Sequence, residues 1–238
     1  MCNKTRNKQC ISINKTMYKL GFIQKNYYNK NKRKQMSHID FENVEDKFEK
    51  TLTTREWKKL EKDFESSSDI YLVANGGLWA VANHAADDCT RLFAKAGIEK
   101  NVKSLDSQCL ITSIANDYGY NNLFLSWLEL QKKSGAMKKD AMIIALSCSG
   151  GSKNVVSCCH WAKKNGYKTA MIAGQDRQLL ESDINNIVLD CKYFHTVEVL
   201  SLILFYDLIH SCGAQCPSIK AEVIRKGTAQ PLSRNPLQ

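Results

Sequence analysis

The 238-residue chain has no apolar run approaching the ~18–20 residues of a membrane-spanning helix. Its uninterrupted runs, such as Leu202 to Tyr206, are far shorter than that. That excludes a helical membrane protein. There is no CxxC pair, no Walker A signature and no internal repeat, and all three prolines lie at or beyond Pro217. The first 35 residues carry no acidic side chain at all, yet hold ten of the 34 Lys and Arg residues. What remains has 24 basic and 24 acidic residues, so the +10 formal charge belongs to the N-terminal stretch and the rest is neutral. A nucleic-acid-binding domain spreads basic charge over a folded face, so this distribution argues against one.

The N-terminal stretch has no continuous apolar h-region and only two arginines, Arg6 and Arg33, which suits neither a secretory signal nor a transit peptide. Residues 1–36 read as a basic, disordered extension, or as a stretch upstream of a start at Met36. A polyanion-binding arm is the sharper alternative. Residues 37–212 read as one domain with a helical N-terminal segment, and residues 213–238 as a polar tail. Several of the ten cysteines lie within apolar segments, and Cys158 and Cys159 are adjacent. There they behave as small hydrophobes, and the expected compartment is the reducing cytoplasm. His210, Cys212 and Cys216 make an incomplete zinc set.

At 43% hydrophobic and 24% charged residues, the chain can bury a sizeable core. Phe41, Val44, Phe48 and Leu52, then Trp57, Leu60 and Phe64, recur at helical spacing. Short apolar runs then alternate with helical stretches. Strands are expected at Asp69–Ala74, Val102–Leu105, Ala141–Ser147, Lys168–Ala173 and Asn186–Leu189. Helices are expected from Leu78 to Ala96, in two stretches to about Lys133, up to Lys164, and over Thr196–His210. This order predicts an α/β fold, a three-layer α/β/α sandwich with about five parallel strands.

Ligands of open parallel sheets bind at the carboxyl ends of the strands. Two such ends carry glycine turns: Asn75-Gly76-Gly77, and Ser147-Cys148-Ser149-Gly150-Gly151-Ser152. In the second, three hydroxyls and two glycines precede a helix N-terminus, where backbone N–H groups carry partial positive charge. That suits a phosphate. The plainer reading is a serine N-cap after a tight turn.

LSCSGGSKNVV resembles the phosphate loop of the sugar isomerase (SIS) domain family, written S-T/S-S-G-x-S-x-N. ANGGLWAVANHAADDCTR resembles the glycine turn and helix of phosphoheptose isomerases, which convert sedoheptulose 7-phosphate to heptose 7-phosphate. ITSIANDYGYNNLF resembles their A-x-x-N-D-[FY]-G-[FY]-x-x-x-F block. The three lie in family order over roughly residues 40–210.

The resemblance implies that Ser147, Cys148, Ser149 and Ser152 hold a sugar phosphate, and that Asn75, Gly76, Gly77, Asn116 and Asp117 contact substrate. It implies catalytic roles for His84, Asp88 and Glu198, which would also be the ligands of a Zn²⁺ ion. Spacing of i and i+4 puts His84 and Asp88 on one helix face; Asp87 is the competing carboxylate. Where the family has a histidine eight residues after Glu198, this chain has Tyr206, and His210 is the candidate substitute. Leu78 replaces a family serine that contacts phosphate. The expected partners are a sugar phosphate and further copies of the chain in a homo-oligomer, most plainly a tetramer, because relatives pair such helices between subunits and build the active site there. Two functions remain open: an aldose–ketose isomerase working through an enediol, and a non-catalytic SIS module that binds a sugar phosphate or a protein.

Overall fold

A computed structural model describes residues 39–219, so the basic extension and most of the polar tail lie outside the described residues. Within the described residues, the chain from Glu42 to Ile219 forms one compact unit. Two helices come first, α1 (Val44–Leu52) and α2 (Arg55–Glu65). Then follow β1 (Asp69–Ala74), α3 (Gly76–Ala96), β2 (Asn101–Ser104), α4 (Gln108–Tyr118), α5 (Leu123–Lys133) and β3 (Met142–Ser147). The last elements are α6 (Lys153–Lys164), β4 (Lys168–Ala173), β5 (Asn185–Val188) and α7 (Phe194–Ser211). No helix among the described residues is long and apolar enough to cross a membrane.

The five strands form one parallel sheet in the order β2-β1-β3-β4-β5. Every residue of β1 and β3 is buried, whereas the edge strands β2 and β5 mix buried and exposed positions. A strand covered on both faces has no solvent side, so it reads as a continuous apolar run. Its residues still alternate. Ile70, Leu72, Ala74, Met142, Ile144 and Leu146 face one core with α2, α3 and α7. Tyr71, Val73, Ile143 and Ala145 face the other, with α4, α5 and α6. The expected three layers are present.

Boundaries moved by a residue or two. β2 and β5 each begin one residue earlier than their apolar content suggests, because ladder pairing with Asp69 and Ala170 draws in Asn101 and Asn185. α3 begins at Gly76, not Leu78: Asn75 is its N-cap, and Trp79 N donates to Asn75 O at 3.3 Å. The glycines expected in a turn are therefore the first residues of the helix. α2 buries Trp57, Leu60 and Phe64 on one stripe and is capped by the Thr54 hydroxyl, which accepts from Trp57 N. The Trp57 indole donates across the core to Asp207 Oδ2 of α7.

Both α3 and α7 start near the carboxyl edge of the sheet and run parallel. Gly77 and Glu198 meet near their beginnings, while Asp88 and Tyr206 meet further along.

Candidate functional site

β1 and β3 are neighbours in the sheet, but the helices that follow them, α3 and α6, pack on opposite faces. A crevice opens at such a switch point, at the carboxyl ends of the strands. Its floor is a reciprocal amide pair: Asn75 Nδ2 donates to Asn154 Oδ1 at 2.9 Å, and Asn154 Nδ2 to Asn75 Oδ1 at 3.0 Å. The Tyr120 hydroxyl donates to the same Asn75 oxygen at 2.9 Å. These contacts tie the β1 turn, the β3 turn and the segment after α4 into one rim.

In the β3 turn, Ser147 Oγ donates to Ser152 Oγ at 3.3 Å, and Gly151 N donates to Ser149 Oγ at 3.2 Å. Ser152 is the N-cap residue of α6, yet its hydroxyl makes no capping bond. A plain helix cap would spend that hydroxyl on the first turn. Here it faces its neighbour hydroxyl instead, beside a helix N-terminus that favours an anion. Gly150 has φ +68°, and a Cβ there would fall 2.1 Å from the Gln175 carbonyl oxygen. The residue must be glycine for the β4–β5 connection to lie against the loop. That connection brings Arg177, whose Nε donates to Ser149 O at 3.3 Å.

Glu198 joins this end of the molecule. A Cβ on Gly77 would lie 2.1 Å from Glu198 Oε1, so the missing side chain is what lets the carboxylate rest against the first turn of α3. Burial and then the Glu198 charge push the Cys148 thiol up to about 11, so it stays neutral at pH 7. Leu78 is buried in the core under α3 and offers nothing to a phosphate.

A second cluster sits further along α3. Tyr206 donates to Asp88 Oδ2 at 2.6 Å, Arg91 Nη2 donates to Asp88 Oδ1, and His84 Nε2 lies 3.2 Å from Asp88 Oδ2. Burial alone would raise the Asp88 pKa, but the bonds from Tyr206 and Arg91 and the nearby His84 outweigh it and hold the carboxyl below its usual range. The same bond to Asp88, with burial, pushes Tyr206 up to about 12. Arg91 Nε also binds Asp87 at 3.0 Å, so Asp87 serves the arginine.

Several implied sites fall elsewhere than expected. His84, Asp88 and Glu198 are not gathered: 11 residues of helix separate the levels of Gly77 and Asp88, about 16 Å at 1.5 Å per residue. Among the described residues no three His, Cys, Asp or Glu side chains come close enough to share a metal ion. A phenol and a guanidinium stand where further donors would be needed, so the residues of this chain do not fit the Zn²⁺ site. His210 is not among the partners of Asp88. It is exposed at the end of α7 and accepts from Cys216 N at 3.4 Å. Asn116 and Asp117 are exposed and bond to each other at 3.0 Å, and Tyr120 reaches the crevice in their stead.

The sequence alone does not mark Tyr120, Asn154, Arg91 or Arg177 as site residues. The first two sit inside quoted motifs, as the second aromatic of NDYGY and the final asparagine of SGGSKN. Arg91 shows itself only as i+3 from Asp88. Arg177 carries no local signal at all.

No family model matches the chain. A phosphoheptose isomerase from Leptospira biflexa is 33% identical over 122 residues, which is 50% of this chain and 60% of that protein. One from Sulfurimonas denitrificans is 36% identical over 107 residues, 44% of this chain and 52% of that protein. The matched stretch thus spans little more than half the length of these curated relatives. The solved phosphoheptose isomerase of Neisseria gonorrhoeae superimposes with a TM-score of 0.59 over 80% of this chain and 98% of that one, at 18% identity. The fold is that of the phosphoheptose isomerases. A second such structure, from Francisella tularensis, covers 72% of this chain and 93% of its own, with a TM-score of 0.60 and 14% identity. The phosphoheptose isomerase fold accounts for the parallel five-stranded sheet between helical layers.

Proposed function

We propose that this chain is an aldose–ketose isomerase acting on a phosphorylated sugar of the sedoheptulose 7-phosphate class. The observation that carries the reading is the Ser147–Ser152 loop at the switch point, whose N-cap hydroxyl is not spent on its own helix. Ser147, Ser149 and Ser152, the first turn of α6 and the Arg177 guanidinium would hold the phosphate. The sugar would then run over Gly76 and Gly77 towards Glu198.

Isomerisation through an enediol needs a base that takes the C1 proton and returns it at C2. It also needs a group that carries the hydroxyl proton between O1 and O2. Asp88 suits the first role, ionised and held in place, and His84 beside it suits the second. Within one chain Asp88 lies about 16 Å, and His84 about 10 Å, along α3 from the level of Glu198. The reading therefore includes a homo-oligomer, a tetramer by resemblance, in which the Asp88 cluster of one copy faces the phosphate loop of another. α7 leaves Val199 and Ile203 exposed on one face and Phe194 exposed at its start, apolar surface suited to such pairing. The proposed setting is the cytoplasm, where free thiols such as the buried Cys89, Cys158 and Cys159 persist.

Turnover of sedoheptulose 7-phosphate by the purified chain tests the reading, and Asp88→Asn should reduce it ~10²–10⁴-fold while phosphosugar binding survives. The binding-module reading draws on Leu78, buried where a phosphate contact is expected, and on Tyr206. It prevails if no heptose or hexose phosphate is turned over although one of them raises the melting temperature.

A further inference from the structure

We infer that Arg91 and Tyr206 together stand in for a metal ion beside Asp88, so that this carboxylate is aimed by an organic clamp and the site takes up no zinc. The inference borrows from the isomerase reading only the role of Asp88; its geometry is independent.

A carboxylate offers about four lone-pair positions. At Asp88 three are addressed: Oδ1 by Arg91 Nη2, and Oδ2 by the Tyr206 hydroxyl at 2.6 Å and by His84 Nε2 at 3.2 Å. The Asp88 side chain is only 9% exposed, which leaves little open approach. Zinc in proteins takes at least three ligands from thiolate, imidazole and carboxylate, and within one chain this cluster offers two, His84 and Asp88. The position on α7 that could complete it is a phenol, and its proton is already committed to Asp88. Arg91 adds a second obstacle. Its charge is permanent, and it is bound to the carboxylate a cation would need.

The clamp also supplies what a metal would. A fixed positive charge lies on one oxygen and a directional donor on the other, so the carboxylate has a single orientation. Arg91 is itself held by a second carboxylate, through Nε to Asp87 Oδ2 at 3.0 Å. Spacings of i+4 from Asp87 and i+3 from Asp88 let one guanidinium span both. This gives the adjacent Asp87-Asp88 pair distinct duties: Asp88 as the working group and Asp87 as the anchor of its partner. Arg91, Asp87 and Tyr206 are positioning residues.

The test compares zinc content after equilibrium dialysis of the full chain against micromolar Zn²⁺, in wild type and in variants that still melt cooperatively. His84 and Arg91 side chains are 52% and 67% exposed. Bound zinc should be the same in wild type and His84→Ala, since any zinc on the cysteines is common to both. Tyr206→His combined with Arg91→Gln should take up one more zinc per chain, which adding His84→Ala removes. Loss of zinc on His84→Ala in the wild-type background would overturn the inference, and so would the absence of any gain in the double variant. With a substrate in hand, Tyr206→Phe should lower kcat ~10-fold with KM nearly unchanged. Arg91→Lys should retain more activity than Arg91→Ala, and a chelator should leave wild-type turnover intact. Turnover lost to chelation and restored by Zn²⁺ would refute the clamp while leaving the isomerase reading standing. A wild type with no turnover would refute that reading, and the zinc comparison would still decide the clamp.

Discussion

Arg177 shows how little of a binding site need be local in sequence. It belongs to the connection between β4 and β5, has no motif around it, and reaches the phosphate loop only because Gly150 lets that connection approach. With Nε on the Ser149 carbonyl, its remaining N–H groups are available to a phosphate, and a charge-assisted hydrogen bond contributes about 1.5–3 kcal/mol. Arg177→Ala should therefore weaken phosphosugar binding by that amount in a calorimetric titration, and Arg177→Lys by less. Ser149→Ala and Ser152→Ala should each cost about 1–2 kcal/mol. Unchanged affinity in both serine variants would reduce the loop to a turn ahead of a helix. Gly77→Ala is the most severe small change at this site, because its Cβ would occupy the place of the Glu198 carboxylate. It should abolish turnover while the protein still melts cooperatively.

At the scale of elements, α7 is held at its start by a residue far away in the chain. The backbone N–H groups of Lys192 and Tyr193 and the Thr196 hydroxyl all donate to the Glu42 carboxylate. Partial burial works against its charge, but these donors and the Lys47 ammonium outweigh it and hold the Glu42 pKa below 4.5. A depressed carboxylate contributes stability that is present above its unfolded pKa and lost as pH falls through the folded value. Glu42→Gln should thus cost about 1 kcal/mol at neutral pH, the scale of an anion at a helix N-terminus. The gap between the two proteins should close below about pH 4.5, measured by urea unfolding across that range. A gap that persisted at pH 3 would show that shape, and not charge, is what Glu42 supplies.

The same scale shows what could be read in advance. β1, β3 and β4 were legible to within a residue, since strands covered on both faces leave uninterrupted apolar runs such as IYLVA and MIIAL. The Ser147–Ser152 turn between β3 and α6 was legible too, from its serines and glycines. The His84–Asp88 pair followed from helical spacing. What it pairs with did not, since α3 and α7 are more than a hundred residues apart in sequence. Their parallel course separates Glu198 from Asp88 and sets Tyr206 on the carboxylate, and no local pattern encodes a helix–helix register.

For the whole molecule, exposed Phe194, Val199 and Ile203 on α7 predict self-association, and light scattering at micromolar concentration should return a multiple of the chain mass. Phe194→Ser with Val199→Ser should shift that mass towards the monomer and remove turnover with it. The separation of the phosphate loop from the Asp88 cluster along α3 has a genetic consequence. A Ser149→Ala, Ser152→Ala chain and an Asp88→Asn chain, each impaired alone, carry their lesions in different halves of the site that the proposed oligomer shares. Refolded together in equal amounts, they should rescue one another, with about one site in four receiving an intact half from each parent under random assembly. Two defective alleles would then complement in the same cell. No recovery on mixing would mean that a single chain closes around its substrate unaided.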